Sequence, residues 1–411
     1  MSVFPNIAIR HLFSIGSGAT PESGNPDYWD GDIFWVTPED VSAAKDGKIA
    51  STKRRITDDG LRSCSARLSP PETIVLTKRA PIGQLAVAEV ELCSNQGCFL
   101  LEPGSSVVPQ FYFHWLNAHT AFLQILGRGS TFMELSTDDL KSLRVPHPPI
   151  HVQDSIAGFL NENAAQIDTL IEAKQTLLGL LAEKRRTLVA EAVMRGLDRS
   201  APLRPSGIDW LGDIPAHWEI ERSRWLFAER DERSETGKEE MLTVSHITGV
   251  TPRSEKDVNM FEAETTAGYK LCFTGDLVIN TLWAWMGAMG TAPVDGIVSP
   301  AYNVYTPGQR LLPAYVDALV RIPVFAQEVT RYSKGVWSSR LRLYPEGFFE
   351  TFWPVPPLDE QEAIVAHIAE ERFKIDKLAT ATERSIALLK ERRSALIAAA
   401  VTGQIEIPEA A

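Results

Sequence analysis

The chain of 411 residues contains little cysteine, no long hydrophobic run and no excess of positive charge. Its four cysteines, Cys64, Cys93, Cys98 and Cys272, form no zinc-ligand pattern, which favours reduced thiols in a cytoplasmic protein. No stretch approaches the roughly 18 apolar residues of a membrane helix, and the N-terminus does not resemble a signal peptide. The net charge of −12 argues against coating nucleic acid by bulk electrostatics, although local basic patches remain possible.

Motifs of the common enzyme classes are also missing. There is no G-x-x-x-x-G-K-S/T phosphate loop, no G-x-S-x-G, no H-E-x-x-H and no C-x-x-C. Gly16-Ser17-Gly18 lacks the rest of a dinucleotide-binding fingerprint, and the Asn/Asp-Pro-Pro-aromatic tetrapeptide of amino-methyltransferases is absent. His147 and His151 straddle Pro148-Pro149, so they cannot share a helix face as metal ligands. The sequence therefore predicts no catalytic residue and no metal site in this chain.

What the chain does contain is an internal duplication. A segment that follows a proline pair recurs without a gap 208 positions later. The offset is close to half the chain length, so one large unit is duplicated rather than a short solenoid repeat. Two similar halves present two similar surfaces, which suits a target that itself has two parts. The recurring residues include Pro148-Pro149, Gln153, Ile156, Ile167-Asp168 and Arg185, matched by Pro356-Pro357, Gln361, Ile364, Ile375-Asp376 and Arg393.

Each copy of the repeat predicts a long helix. Apolar residues alternate in steps of three and four, the proline pair blocks helix before the segment, and Gly196 or Gly403 follows it. We expect two helices of about 45 residues, roughly 65 Å long. An apolar seam needs a partner, and antiparallel pairing of the two helices is favoured over a second protomer or another protein. The predicted seam residues are Ile156, Leu160, Ile167, Leu170, Leu177, Leu181 and Leu188 in the first helix, and Ile364, Ile368, Ile375, Leu378, Leu389 and Leu396 in the second.

The remaining sequence consists of short strand-like runs separated by glycine, proline and aspartate. We therefore predict an α+β fold of two mixed domains, separated by two long antiparallel coiled-coil helices and related by a pseudo-twofold duplication. The predicted segments are residues 1–149 for the first domain, 150–198 for the central helix, 199–357 for a linker and the second domain, and 358–403 for the C-terminal helix.

Local basic and aromatic clusters supply the candidate binding residues. Lys53-Arg54-Arg55 forms one cluster and Lys78-Arg79 another, and a Gly/Ser/Arg loop precedes each proline pair. Such loops offer the N–H, hydroxyl and guanidinium donors that phosphates and guanine edges accept, while a solvated loop is the alternative. Trp283-Ala284-Trp285-Met286 could stack on bases, but a buried strand is the favoured interpretation. The candidates in the two loops are Arg128, Ser130 and Thr131 in the first half, and Trp337, Ser338, Ser339 and Arg340 in the second.

Several stretches resemble the specificity subunit of type I restriction-modification systems, in the expected order over nearly the whole chain. The first half contributes Ser17 to Asp40 and Arg79-Ala80-Pro81-Ile82-Gly83, the latter followed by Asn95-Gln96-Gly97. The second half contributes Ile208 to Trp218 and Pro356 to Gln361. One departure is that the second half has Trp283-Ala284-Trp285-Met286-Gly287 where the first has Arg79 to Gly83.

The resemblance implies two target-recognition domains, each reading one half of a bipartite, asymmetric site in double-stranded DNA. The helices would set the spacer between the half-sites. The subunit would have no catalysis and no cofactor of its own. It would recruit two methyltransferase subunits, which use S-adenosylmethionine, and restriction translocase subunits, away from any membrane.

Other functions stay open at this point. A methyltransferase with its own recognition domains is disfavoured by the missing cofactor and catalytic motifs. A coiled-coil adaptor without a DNA role leaves the two mixed domains unexplained. A related subunit that serves a fused methylase-nuclease is not separated from the type I case by the sequence.

Overall fold

The computed structural model of the chain describes residues 3–79, 81–127, 133–255, 265–335 and 341–407. The chain forms two compact units, one made of residues 1–175 and 383–411 and the other of residues 176–382. Both unit borders fall inside long helices, whereas the four segments predicted from the sequence begin and end at helix termini. The predicted segmentation therefore stays a prediction.

The first unit contains a five-stranded sheet and a smaller three-stranded sheet, and the strands of the two sheets are interleaved along the chain. Ile74, Leu76 and Phe99 of the larger sheet share one buried core with Phe111 and Trp115 of the helix Pro109–Ala118. The larger sheet has the strand order Phe13–Ser17, Cys98–Pro103, Ile74–Thr77, Leu85–Ala88 and Lys48–Ile49, and the smaller has Arg54–Ile56, Trp29–Val36 and Leu92–Ser94. A separate antiparallel pair, Asn6–Ala8 with Arg144–Pro146, precedes the first long helix. The short α-helices are Pro38–Ala43, Asp58–Ser63, Pro109–Ala118, Thr120–Leu126 and Thr137–Ser142.

The second unit has a four-stranded sheet at its centre and four strand pairs around it. Its core joins Leu277 and Tyr305 of that sheet to Tyr315 and Leu319 of the helix Pro313–Val320. The sheet order is Phe227–Arg230, Asn303–Pro307, Leu277–Ile279 and Met289–Thr291. The pairs are Leu203–Pro205 with Asp213–Pro215, Glu219–Arg222 with Phe352–Val355, Leu242–Ser245 with Gly249–Pro252, and Lys270–Cys272 with Gly296–Val298. The other short α-helices are Phe325–Tyr332 and Pro345–Phe348.

The two long helices form where the repeat predicts them. The first is Ile150–Arg195, with 46 residues, and the second is Leu358–Thr402, with 45. Each begins directly after a proline pair and ends before a glycine with a left-handed backbone, at φ +71° for Gly196 and +76° for Gly403. Glycine adopts this conformation without a steric penalty, so both helices stop at the predicted positions.

Within each unit, the segments of the two long helices run antiparallel. In the first unit, Ile156 packs in one core with Ile397 and Val401, while Asp168, further along the first helix, pairs with Arg393. Residue numbers therefore rise along one helix and fall along the other. In the second unit, Arg185 pairs with Asp376, and Ala192 and Val193 share a core with Ile364 and Ile368. The predicted antiparallel pairing is confirmed inside each unit.

The predicted seam is wrong at three leucines. Leu170, Leu177 and Leu378 are 45%, 37% and 47% exposed, whereas Ile171 is 8% exposed. A straight α-helix has 3.6 residues per turn, so a strict seven-residue repeat drifts by about 20° per heptad off the buried face. The buried face also carries small or polar residues such as Ala164 and Thr382, which an apolar pattern passes over. Of the other predicted seam residues, Ile156, Leu160, Leu181, Ile364, Ile368 and Ile375 are buried, and Ile167, Leu188, Leu389 and Leu396 are partly buried.

A buried glutamine ties the start of each long helix to its own domain. The Gln153 side chain accepts a hydrogen bond from the Val108 N–H (2.9 Å) and donates to the Ser106 and Pro148 carbonyls (3.1 and 2.9 Å). Gln361 repeats this set: it accepts from the Leu312 N–H (2.8 Å) and donates to carbonyls of residues 310 and 356 (2.9 and 2.8 Å). Both side chains are fully buried. Because each amide satisfies three backbone groups, the pair fixes each helix relative to its own sheet domain.

Candidate nucleic-acid interface

The first basic cluster, Lys53-Arg54-Arg55, lies at the edge of the three-stranded sheet. The Arg54 guanidinium sits 3.5 Å from the centre of the Trp29 ring, and that of Arg55 lies 4.5 Å from the Phe34 ring. The three basic residues are exposed, and the Lys53 ammonium is 3.3 Å from a Glu39 oxygen. Stacking on an aromatic face restricts a guanidinium while leaving its N–H groups available to an anion. This edge therefore presents two positioned arginines to solvent.

The second basic cluster is less available than the sequence indicates. The Lys78 side chain is only 14% exposed, and its ammonium lies 2.9 Å from a carboxylate oxygen of Glu134. Its backbone accepts from the Leu135 N–H and donates to the Gly97 carbonyl, each at 2.9 Å. Lys78 thus links Gly97 and Leu135 through its backbone, and its charge is paired with Glu134. The adjacent Arg79 is half-buried.

The structure brings the second cluster together with the borders of the first Gly/Ser/Arg loop. A side chain at Gly127 would meet the Ile82 side chain at 2.5 Å, and Gln124 donates a hydrogen bond to the Ile82 carbonyl (3.2 Å). On the other border, Leu135 is bonded to Lys78. The described residues on both borders of the loop therefore contact Lys78 and Ile82. The candidates Arg128, Ser130 and Thr131 lie outside the described residues.

The second unit repeats this anchoring. The Leu343 N–H donates to the Thr281 carbonyl (3.1 Å), and the backbones of Lys334 and Arg342 exchange two hydrogen bonds of 2.9 Å. The Arg342 guanidinium also donates to the Thr281 hydroxyl (3.2 Å). The residues that follow the second Gly/Ser/Arg loop are thus bonded to Thr281. The candidates Trp337, Ser338, Ser339 and Arg340 lie in a part of the loop that the structure does not describe.

The tryptophan run of the second unit is not the buried strand that the sequence favours. Ala284–Met286 forms a 3₁₀ helix, and Trp283 is 51% exposed. The rings of Trp283 and Trp285 are stacked, with centroids 6.4 Å apart and an interplanar angle of 18°. The run lies between two strands of the central sheet, so it forms the turn at a sheet edge where an apolar pattern alone predicts a core. The exposed Trp283 indole, stacked on the partly buried Trp285, offers a flat apolar surface close in sequence to Thr281.

The sequence analysis missed Arg342 as a candidate. It lies two positions beyond Arg340, and its guanidinium is 5.4 Å from the Tyr344 ring. The alternation of basic and apolar residues in Arg340-Leu341-Arg342 is the signal that could have identified it, because alternate residues of an extended segment point the same way.

The thiols and acidic groups form no alternative chemical centre in the described part of the chain. Burial raises the pKa of Cys93, Cys98 and Cys272 to about 12, so these thiols stay protonated and unreactive. Among the residues that the structure describes, no three His, Cys, Asp or Glu side chains are grouped as metal ligands. No helix in these same ranges is both long and apolar enough to cross a membrane.

Comparison with solved structures defines the class of fold. A chain from work on complex assembly and conformational transition of the type I R-M system superposes with a TM-score of 0.68 at 18% identity, covering 98% of each chain. The HsdS subunit of Thermoanaerobacter tengcongensis superposes with a TM-score of 0.60 at 17% identity, covering 98% of this chain and 97% of the subunit. The predicted α+β fold with two mixed domains and long helices is confirmed.

The family follows from the sequence comparisons. Residues 4–178 match the family described as type I restriction modification DNA specificity domain, which confirms the resemblance seen in the motifs. The MjaIX specificity subunit of Methanocaldococcus jannaschii is 36% identical over 169 residues, which are 41% of this chain and 38% of that protein. A putative MjaX specificity subunit from the same organism is 32% identical over 105 residues, or 25% and 24% of the two chains. The matches thus span less than two fifths of either relative.

Proposed function

We propose that this chain is the DNA-specificity subunit of a type I restriction-modification complex. In this proposal, each unit reads one half of a bipartite, asymmetric site in double-stranded DNA. The observation that carries it is a duplicated arrangement: a leucine that follows a Gly/Ser/Arg loop, Leu135 or Leu343, donates its N–H to a residue just after a central strand, Lys78 in one unit and Thr281 in the other. The family match to a DNA specificity domain supports the same conclusion.

The chemistry of the two surfaces supports a role in binding rather than catalysis. Positioned arginines on the first unit offer donors to phosphates and base edges, and stacked indoles on the second offer an apolar surface to the sugar-base edge. We infer that this chain transfers no methyl group itself. It works in the cytoplasm by recruiting two methyltransferase subunits, which use S-adenosylmethionine, and restriction translocase subunits. An acidic body with local basic patches fits weak DNA binding alone and tighter binding within such a complex.

The decisive experiment is co-expression of the chain with the methyltransferase subunit of its system, followed by sequencing of host DNA for methylated adenines. The expected result is a new bipartite motif, with two short specific half-sites around a fixed unspecified spacer. Purified chain alone should transfer no tritiated methyl group to DNA. A continuous motif, or no methylation despite a stable complex, would reject the proposal.

Substitutions in single units sharpen this test. Arg55→Ala should lower affinity for DNA and reduce the slope of log affinity against log salt by about 1 if the side chain contacts one phosphate. The matched control is Arg199→Ala, since Arg199 is a cation 93% exposed and remote in sequence from the candidate loops. An equal loss in both variants would show only nonspecific loss of charge.

A further inference from the structure

The second unit contains a cavity of about 670 Å³ with a strongly basic wall. It lies between segments of the two long helices and the helix Pro313–Val320, and its wall includes Arg185, Arg186, Arg321 and Arg372. Pockets for small ligands in proteins range over roughly 300–1,000 Å³, so this cavity has room for one. None of these arginines belongs to the candidate DNA-binding loops.

The four arginines are only partly neutralised. The Arg185 guanidinium lies 3.2 Å from Asp376. Arg321 donates hydrogen bonds to the carbonyls of residues 247 and 248 at 2.8 and 2.9 Å and is 3.9 Å from Asp317. Asp317 and Asp376 are the two acidic residues of the lining, so it has two more positive than negative charges.

Arg186 and Arg372 are the two members of this set without a partner among the described residues. Neither has an ion pair within 4 Å or a hydrogen bond there. Arg372 is exposed overall, but partial burial of its side chain lowers its pKa, the positive charges of Arg185 and Arg321 lower it further, and the carboxylates of Asp376 and Asp317 oppose these shifts. A cation that is partly desolvated and faces other cations gains stability when an anion binds, because the anion supplies the missing countercharge.

The first unit keeps only part of this charge at the equivalent positions: Arg393 and Asp168 correspond to Arg185 and Asp376, whereas Ser394 corresponds to Arg186. The residue 208 positions before Arg372 is Ala164, which is 5% exposed. The paired hydrogen bonds of Gln153 to Val108 and of Gln361 to Leu312 align the two short helices. In that alignment, Asp317 and Arg321 correspond to the uncharged Phe113 and Asn117. Arg186, Arg321 and Arg372 therefore have no charged counterpart in the first unit, and a function common to both halves does not account for these three arginines.

The rest of the lining is apolar. Ile247 and Phe373 are 71% and 70% exposed, and Val189, Pro323 and Ile368 extend the apolar surface. We propose that this cavity binds a small molecule that carries a phosphate group on an apolar or aromatic body. The planar fork of arginine suits two oxygens of one phosphate, and the apolar wall accepts the ring. This inference does not depend on DNA recognition.

Titration of the full chain with phenyl phosphate tests the proposal by calorimetry, with inorganic phosphate and phenol as partial probes. Phenyl phosphate should bind more tightly than either partial probe. Arg372→Ala should weaken its binding by about tenfold, as expected for loss of a hydrogen bond to a charged group. This variant introduces the residue that the other half already has. Arg392→Ala, an exposed arginine of the same helix outside the cavity, should bind as the unaltered chain does.

In the titration with phenyl phosphate, three results would overturn the inference. One is absence of phenyl phosphate binding, and another is binding that Arg372→Ala leaves unchanged. The third is an equal loss in Arg392→Ala, which would reveal counterion binding over the whole helix. If Arg372→Ala does not fold, Arg372→Gln keeps the side-chain length and is titrated instead. A further titration with duplex DNA distinguishes a small phosphate ligand from the DNA backbone. If DNA displaces the probe and Arg372→Ala lowers DNA affinity tenfold, the cavity binds the DNA backbone and the small-ligand proposal is rejected.

Discussion

The guanidinium of Arg393 holds the carboxylate of Asp168 through two nitrogens, Nε and Nη2, with Nε 2.9 Å from Oδ1 and Nη2 2.9 Å from Oδ2. The duplication produces a second pair of this kind, Asp376 with Arg185, 3.2 Å apart. In this pair the first long helix contributes the arginine and the second contributes the aspartate, which is the reverse of the Asp168–Arg393 pair. Each unit therefore contains one aspartate and one arginine from this repeated pair, which fixes the antiparallel register of the helix segments inside that unit.

A double-mutant cycle on Asp168 and Arg393 measures this register contact. Asp168→Asn or Arg393→Gln should each lower the free energy of unfolding by about 1 kcal/mol, with a coupling energy of about 0.5–1 kcal/mol. The values are modest because the two side chains are 47% and 31% exposed. Urea unfolding at low and high salt provides the readout, and the coupling should shrink at high salt. Strictly additive single effects would show that the pair contributes nothing to stability.

The buried glutamines should matter more than the ion pairs. Gln361→Leu leaves the Leu312 N–H and two carbonyls without their partner inside the protein, so the free energy of unfolding should fall by about 3 kcal/mol. Gln153→Leu should do the same in the first unit. Urea or thermal unfolding measures both. Gln175→Leu, at an exposed position of the first long helix, is the matched control and should change stability by less than about 0.5 kcal/mol. Similar losses for buried and exposed glutamine would contradict the anchoring role.

Substitution of Trp283 distinguishes a role in DNA contact from a role in packing. Its indole is half exposed, so Trp283→Ala should leave the unfolding free energy within about 1 kcal/mol. If the indole contacts DNA in the assembled complex, affinity for the cognate duplex should fall by about tenfold. Fluorescence anisotropy with labelled duplex measures this. Trp225→Ala removes a tryptophan that is 73% exposed in another part of the same unit, and it should bind DNA normally. Equal binding by both variants would remove Trp283 from the interface.

His114 predicts a pH dependence of stability. It is 5% exposed and bonded to the Asn161 side chain at 2.8 Å. Burial lowers its pKa below 6.5, the Asn161 hydrogen bond opposes that shift, and the charge of Arg393 adds to it. The unfolded chain therefore binds a proton at a higher pH than the folded one. The stability contributed by buried, neutral His114 is present above pH 6.5 and is lost as the pH falls below that value.

The measurement is urea unfolding from pH 7.5 to pH 5.5. His114→Gln retains a polar side chain but cannot gain the proton, so its stability should fall less steeply over this range. Parallel profiles for the two proteins would assign the pH dependence to other groups.

Parts of the architecture could be predicted because they depend on local sequence. The long helices follow from proline pairs, an apolar period and terminal glycines, all readable within one segment. The role of Gln153 could not be predicted in this way, because its acceptor and donor partners include Val108, 45 residues earlier. Lys78 was predicted as a DNA-binding candidate from its basic cluster, yet Glu134 neutralises it from a distant part of the chain. Pairing across long sequence separations is what a linear pattern does not contain.

The candidate DNA-binding surface likewise combines features that the sequence predicts with features that only the folded chain determines. Lys53-Arg54-Arg55 is a visible run of charge, but the contacts of Arg54 and Arg55 with Trp29 and Phe34 arise only when two strands pair. Trp283 was interpreted as core because indoles are usually buried, whereas the turn that carries it lies at a sheet edge. In both cases the composition gave the correct residue types, and tertiary pairing decided their exposure.

The first unit is assembled from both ends of the chain, with the Val3 N–H bonded to the Thr402 carbonyl at 2.9 Å. Ile397, Ala400 and Val401 complete its core, so that core stays open on the ribosome until residues near 400 have been synthesised. The second unit is one continuous stretch and can close earlier, although its synthesis starts later. The half that is translated first is therefore the half that finishes folding last.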